Sequence, residues 1–287
     1  MNKYLIGALV ANKATLGFHW IYDSTYLEEL SKKQSLLFQK QSKKHYDCAK
    51  PSYFVYPNGK YTTQGMMLIW LYKSMINNHL FTKSDYENLI YQHFKPGGLY
   101  KGYIESYGKK LVFDRLSSEL NIQTTTKALM DDHLVGFVPY LVTKELGLGI
   151  DKAWELASIF TENEEYKTFY LMFDFILENI HTTSKKDLFE QAIFYAPIRY
   201  QKVLNEAIQI RDTKLFINQH AGIACHLPQS IPLIFHMLYH GESYEQVINW
   251  NAKIGGASSD RGLLLGAILS QVSPVPSDWL NKISIIK

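Results

Sequence analysis

Apolar residues recur at helical spacing through most of the chain, whereas alternating strand-like stretches bounded by turn residues are scarce. The spacing predicts a first helix over residues 3–18, in which Gly7, Ala11 and Ala14 leave room for a close helical neighbour. It predicts further helices over 65–76, 229–240 and 262–272, and two helices over 151–180. No linker or composition break interrupts this pattern. We therefore expect an all-α fold that forms one domain over residues 1–287.

Several helix ends are marked by capping residues. Ser84 with Glu87, and Ser243 with Gln246, have the spacing of capping boxes. Asp151 is expected to cap the helix that follows it. Each of these positions predicts where a helix begins.

Residues 30–60 are the least periodic part of the chain and contain several lysines and prolines. This composition predicts a long surface excursion. Its aromatic residues could stack on an adenine or could anchor the loop on the domain, and they are Tyr46, Tyr53, Phe54 and Tyr56.

The amino-acid composition limits the kinds of binding partner that we expect. The 287 residues are 46% hydrophobic, enough for a large core, and the formal charge of +3 is spread over the chain. Scattered charge does not favour a nucleic-acid partner, and no apolar run is long enough to predict a membrane span. With only Cys48 and Cys225, and an N-terminal apolar run that lacks a cleavage site, we expect a cytoplasmic protein.

Four groups of polar residues stand at or beside predicted helix ends, where unpaired backbone N–H groups can face a ligand. Taken alone, each has a structural explanation, because Asp131 and Asp260 would be helix caps and Gly255-Gly256 a tight turn. The groups are residues 19–23 (HWIYD), 62–65 (TTQG), 131–133 (DDH) and 255–262 (GGASSDRG).

The Asp131-Asp132-His133 triplet has the strongest chemical signal. Two carboxylates beside an imidazole can share a proton or hold a hard cation, so these three residues are the predicted catalytic group. Cys225 and His226 are a weaker nucleophile and base, because adjacent residues on a helix point about 100° apart. The remaining histidines lack metal-ligand spacing.

The motifs together resemble those of the ADP-ribosylglycohydrolase family, in particular the subgroup that includes the J1-type crystallins. The resemblance extends over nearly the whole chain and implies an orthogonally packed all-α fold. In active relatives it implies hydrolysis of an N- or O-glycosidic bond to ADP-ribose, assisted by two Mg²⁺ or Mn²⁺ ions. The matching segments are 7–23, 131–133, 224–228, 255–256, 266–269 and 276–280.

The family's metal motifs are altered in this sequence. After a matching Thr62, Thr63 and Gln64 stand where the first carboxylates would be. Near the C-terminus, Ala257 and Ser259 replace the second carboxylate pair, and Asp260 follows. Neutral oxygens bind hard cations far more weakly, so Thr62 and Asp260 are only weak candidate ligands. A metal-free acid/base pair formed by Asp131 and Asp132 is the simplest alternative.

The resemblance implies a cleft for a small-molecule or ADP-ribosylated substrate. Three functions stay open: hydrolysis of a bond to ADP-ribose or a related nucleotide sugar, binding of such a ligand without turnover, and a crystallin-like structural role. The residues expected to bind the ligand are His19, Asp23, Thr62, Thr63, Gln64, Ser258, Ser259, Asp260 and Arg261.

Overall fold

The computed structural model describes residues 3–49, 56, 60–78, 80–122 and 132–283. Every regular element in these ranges is a helix, and their only extended pairing is an isolated antiparallel bridge between His133 and His226. The predicted all-α fold is confirmed.

The α-helices vary from four to fifteen residues in length. In chain order they are α1 (Lys3–Thr15), α2 (Ser24–Ser31), α3 (Lys43–Ala49), α4 (Thr63–Asn77), α5 (Lys83–Phe94), α6 (Ser106–Glu119), α7 (Phe137–Glu145), α8 (Ile150–Ala157), α9 (Glu165–Asn179), α10 (Lys185–Ala192), α11 (Ile198–Gln209), α12 (Thr213–Gln219), α13 (Leu227–His240), α14 (Tyr244–Ile254), α15 (Ser258–Val272) and α16 (Ser277–Leu280). Short 3-10 helices cover Leu16–Phe18, Leu134–Gly136 and Ile193–Tyr195.

Helices α1 and α15 form the centre of the fold, and both are buried over most of their length. Their backbones approach so closely that a Cβ atom on Gly7 would lie 2.3 Å from the carbonyl oxygen of Gly266. A Cβ atom on Gly266 would meet the oxygen of Gly7 at the same distance. The small residues of the first helix thus have the predicted close neighbour, and this contact aligns the N-terminal end of α15 with the C-terminal end of α1.

The predicted caps at Ser84 and Asp151 are wrong. The capping box of α5 is formed by Thr82 and Asp85, because α5 begins at Lys83, ahead of Ser84. Helix α8 begins at Ile150 after Gly149, so Asp151 lies within its first turn, where a carboxylate still favours the helix dipole.

Ser243 does cap α14, accepting from the Gln246 N–H at 3.2 Å. The Gln246 side chain, however, accepts from the Glu242 N–H, one residue before the capping-box position. Helix α15 begins at Ser258, so Asp260 lies inside its first turn and is not a cap for a helix that starts at Arg261.

Residues 30–60 are only partly a surface excursion. Helix α3 lies within them, Leu36 and Tyr46 are buried, and the Tyr46 hydroxyl donates to the carbonyl oxygen of His19 at 2.6 Å. Tyr46 therefore anchors this segment beside the first polar group. Tyr53 and Phe54 lie outside the described residues.

Among the helices of the described ranges, none combines the length and apolar character that a membrane crossing requires.

Candidate functional site

The loop of residues 19–23 and the loop of residues 255–257 are joined by two backbone hydrogen bonds. The Trp20 N–H donates to the Gly256 oxygen at 2.7 Å, and the Gly256 N–H donates to the Ile21 oxygen at 2.7 Å. Gly256 has φ of +60°, and a Cβ atom there would lie 2.1 Å from the oxygen of Ile223. Only glycine permits this conformation and this approach without strain.

The buried side chain of Arg261 connects these loops by hydrogen bonds. Its guanidinium group is fully buried, and it donates to the carbonyl oxygens of Ile223 and Gly255 at 2.9 and 2.7 Å. Nε donates to Asn251 Oδ1 at 3.0 Å. Burial lowers the pKa of Arg261 to about 10. Through these hydrogen bonds Arg261 holds the loops in position. That Arg261 contacts a ligand stays a prediction.

Thr62 connects the second group of polar residues to Asp260. Its hydroxyl donates to Asp260 Oδ1 at 2.7 Å and accepts from the Asn12 amide at 2.9 Å and the Gly65 N–H at 3.2 Å. Asn12 also donates to the oxygen of Ser259. Asn12 lies in the apolar helix α1 and was not predicted as a site residue. The signal for it in the sequence is a lone amide among apolar residues.

His19 completes the surroundings of Asp260. The Ser259 N–H donates to Nδ1 of His19 at 3.2 Å, so the neutral ring carries its proton on Nε2. Nε2 faces Asp260 Oδ2 at 3.4 Å, within ion-pair distance but without the geometry of a hydrogen bond. His19 and Asp260 are both fully buried.

Glu105 is the most important site residue that sequence reasoning missed. It precedes α6 and is 2% exposed, and its carboxyl oxygens make no hydrogen bond of regular geometry, although Tyr107 and Gln64 lie close enough to interact with them. Burial, followed by the negative charge of Asp260, raises the pKa of Glu105 well above its usual value, although hydrogen bonding by Tyr107 and Gln64 opposes the rise. Both effects favour the neutral, protonated form of the carboxyl group.

Other buried polar atoms around Glu105 also lack hydrogen bonds. Both amide atoms of Gln64 and the Tyr107 hydroxyl lie close to Glu105 without a bond of regular geometry, and the Tyr56 hydroxyl also has no partner. Native proteins pair nearly all such atoms, so a concentration of unpaired ones indicates a place for a polar ligand or ordered water. We call His19, Thr62, Gln64, Glu105, Tyr107 and Asp260 the buried polar cluster.

Asp132 and His226 form a second polar group, which we call the rim pair. Their side chains are about one-third exposed, at 34% and 32%, and His226 Nδ1 lies 2.9 Å from Asp132 Oδ1. Backbone bonds from Leu134 to Cys225 and from Leu227 to Asp132 hold the two segments together. Asp131 lies outside the described residues, so its predicted role stays a prediction.

His133 lies between the rim pair and the buried polar cluster. Its ring is 5.1 Å from that of His226 and 5.5 Å from that of Tyr107. Burial and the neighbouring His226 lower the pKa of His133 to about 4, so its ring is neutral at pH 7. Its Nε2 lies 3.9 Å from the Cys225 sulfur. Burial raises the pKa of this thiol, which therefore does not supply a reactive thiolate.

Aromatic rings border the cluster toward solvent. Trp20 adopts φ of +67°, stacks on His19 at 4.9 Å and meets Tyr103 edge-on at 5.4 Å. A bulky residue in this left-handed region is strained, so the loop contacts described above must hold it there. Tyr22 is 46% exposed, and burial of its hydroxyl near Cys225 raises its pKa to about 12.

Three of the remaining predicted ligand-binding residues, Asp23, Thr63 and Ser259, have structural roles. Asp23 is exposed and caps α2, accepting from the Tyr26 N–H at 2.9 Å, and none of its described contacts joins the buried polar cluster. Thr63 donates to the Tyr103 oxygen at 2.6 Å. Ser259 accepts from Thr15 at 3.2 Å. Ser258 borders the site with its unpaired hydroxyl.

The described residues do not fit a pair of Mg²⁺ or Mn²⁺ ions. Both lone pairs of the Thr62 hydroxyl are used by Asn12 and Gly65, and Thr62 itself occupies Asp260 Oδ1. Within the described ranges, no three His, Cys, Asp or Glu side chains gather as metal ligands would. Glu105 and Asp260 alone cannot offset two divalent charges.

No protein-family model matches the chain. The chain is 23% identical to Crystallin J1A of Tripedalia cystophora over 315 aligned positions, which cover 98% of this chain and 90% of that protein. The chain is thus distantly similar to a J1-type crystallin. This similarity supports the expected relationship to that group of proteins.

Proposed function

We propose that this protein hydrolyses a glycosidic bond to ADP-ribose or a related nucleotide sugar, without a metal ion. The observation that carries the proposal is Glu105, a buried carboxyl that has no ion-pair partner and no hydrogen bond of regular geometry among the described residues, and whose pKa burial and the charge of Asp260 raise. Glycosidic bonds are commonly cleaved by a pair of carboxyl groups, in which one group is a general acid. The sequence resemblance to ADP-ribosylglycohydrolases supplies the substrate class.

The two carboxyl groups have different surroundings, which suit different tasks. Burial and the charge of Asp260 favour the neutral form of Glu105, which can donate its proton to the leaving group. Asp260 is fixed by the Thr62 hydroxyl and faces His19. Its negative charge stabilises the oxocarbenium-like cation that develops at the sugar as the bond breaks.

Two other functions have a specific observation in their favour. Binding of an ADP-ribose-like ligand without turnover is consistent with the same unpaired polar atoms, because they need a partner whether or not a bond is broken. A structural role is favoured by the distant similarity to Crystallin J1A. Hydrolysis explains the neutral Glu105, which the other two functions do not require.

The test uses ADP-ribosyl conjugates that differ in leaving group, assayed with EDTA present. One set links ADP-ribose to serine or arginine, which need protonation to leave, and one links it to 4-nitrophenol, which does not. We expect Glu105→Gln to slow release of serine or arginine by about 10²- to 10⁴-fold while release of 4-nitrophenol changes far less.

The matched control is Glu178→Gln, because Glu178 is a largely exposed residue of α9. It should leave both rates unchanged. Absence of turnover by the wild-type protein on every conjugate, or turnover that EDTA abolishes, would contradict the proposal.

A further inference from the structure

We propose that the rim pair is the general base of this reaction, with His226 accepting a proton from the attacking water and Asp132 orienting the imidazole. The inference rests on the proposed hydrolysis. It assigns the activation of water to His226, which the sequence analysis considered only as a weak base for Cys225.

The hydrogen bond of the rim pair determines which nitrogen of His226 is basic. Nδ1 donates to Asp132 Oδ1 at 2.9 Å, so the neutral ring has its lone pair on Nε2. The side chain is about one-third exposed, which gives water access to the ring. A carboxylate that holds the opposite nitrogen also stabilises the imidazolium formed after proton transfer.

The position of the rim pair complements that of Glu105. Glu105 is at the buried end of the site, next to Tyr107. His133 packs between Tyr107 and His226, so His226 is at the exposed end. Water therefore meets the base at the solvent side, while the leaving group is protonated from the buried side.

Other titratable groups border the rim pair. Behind it lie His133 and Cys225, which are both uncharged at neutral pH. On α11, the charge of Asp132 acts on Arg199 and Tyr200. Arg199 is therefore a cationic group within electrostatic range of Asp132.

A purely structural role for the pair is the competing explanation. Two backbone hydrogen bonds already join the segments, from the Leu134 N–H to the Cys225 oxygen at 3.1 Å and from the Leu227 N–H to the Asp132 oxygen at 2.8 Å. The bridge therefore does not need the side-chain bond. A structural role would also not require exposure of the imidazole.

The proposed step balances in atoms and charge. Water forms a C–O bond to the anomeric carbon and gives its proton to His226 Nε2. The bond from that carbon to the leaving nitrogen or oxygen breaks, and its electron pair takes the proton of Glu105. His226 then releases its proton to solvent and Glu105 regains one, so the net reaction is hydrolysis.

The test is chemical rescue, with the conjugate to 4-nitrophenol as the substrate because its release does not depend on Glu105. We expect His226→Ala to lose about 10²- to 10⁴-fold in kcat, and added imidazole to restore part of the rate in a saturable manner. Substituted imidazoles of higher pKa should rescue better. Asp132→Asn should lower kcat with little effect on KM.

His181→Ala, which removes an exposed histidine beyond the end of α9, should neither lose activity nor respond to imidazole. Activity of His226→Ala within twofold of wild type, or a loss that no imidazole rescues, would overturn the inference and leave the proposed hydrolysis standing. Absence of wild-type turnover would overturn both.

Discussion

Glu105→Gln should stabilise the folded protein at neutral pH, although it removes the proposed catalytic acid. The unfolded chain ionises Glu105 near its ordinary pKa of 4.5, whereas burial and Asp260 raise the pKa in the folded state. Between these two pKa values only the folded state keeps the proton. Wild-type stability therefore falls as pH rises above 4.5, and the fall ends at the folded pKa. Glutamine has a similar shape and does not ionise.

The size of the effect follows from the linkage relation. Each pH unit in that window costs the wild-type protein about 1.4 kcal/mol relative to Glu105→Gln. A chain of 287 residues unfolds with an entropy of about 0.6 kcal/mol/K, so the difference in Tm grows by about 2 °C per pH unit.

Thermal melts of the two proteins from pH 5 to pH 8 measure this slope directly. Glu178→Gln, at a largely exposed position, should show no comparable slope. A constant difference across this range would refute the neutral state of Glu105. A destabilised Glu105→Gln at pH 7 would show that the charged carboxylate has partners in the fold.

Two further predictions concern the framework. Burial lowers the pKa of His236 to about 4, so between pH 6.5 and 5 the unfolded state binds a proton that the folded state does not. The free energy of unfolding should therefore fall by about 2 kcal/mol over this range. Thermal melts of His236→Gln should show a smaller fall. An equal acid dependence of the two proteins would contradict this. In urea titrations, Gly256→Ala should lower the free energy of unfolding by about 1 to 3 kcal/mol more than Gly147→Ala does. Both glycines have positive φ, but only at Gly256 would a Cβ atom meet the backbone. Equal losses would refute the steric argument.

The sequence predicted the helices well because helix formation depends on the spacing of apolar residues a few positions apart. The small residues of α1 indicated a close neighbour, and α15 is that neighbour. The caps of α5 and α8 each lie two residues before the predicted one, because each helix start offers more than one capping residue, Thr82 or Ser84 at α5 and Gly149 or Asp151 at α8. Only the backbone geometry selects among them.

The candidate site was predictable only in part. The four polar groups do approach one another, since His19, Thr62 and Asp260 are linked and His133 packs nearby. Glu105 gave no signal, because its pKa depends on burial by residues distant in sequence. His226 was set aside because adjacent Cys225 cannot face it, yet its actual partner is Asp132.

The central claim is that the buried polar cluster is a ligand site that works without a metal ion. The most direct measurement is a thermal-shift titration with ADP-ribose in EDTA, repeated with Mg²⁺ or Mn²⁺. At about 100 times its Kd, a ligand that binds only the folded state adds about 2.7 kcal/mol, which corresponds to about 4 to 5 °C for this chain. We expect this shift in EDTA, unchanged by either metal. A shift that requires the metal, or no shift under any condition, would contradict it.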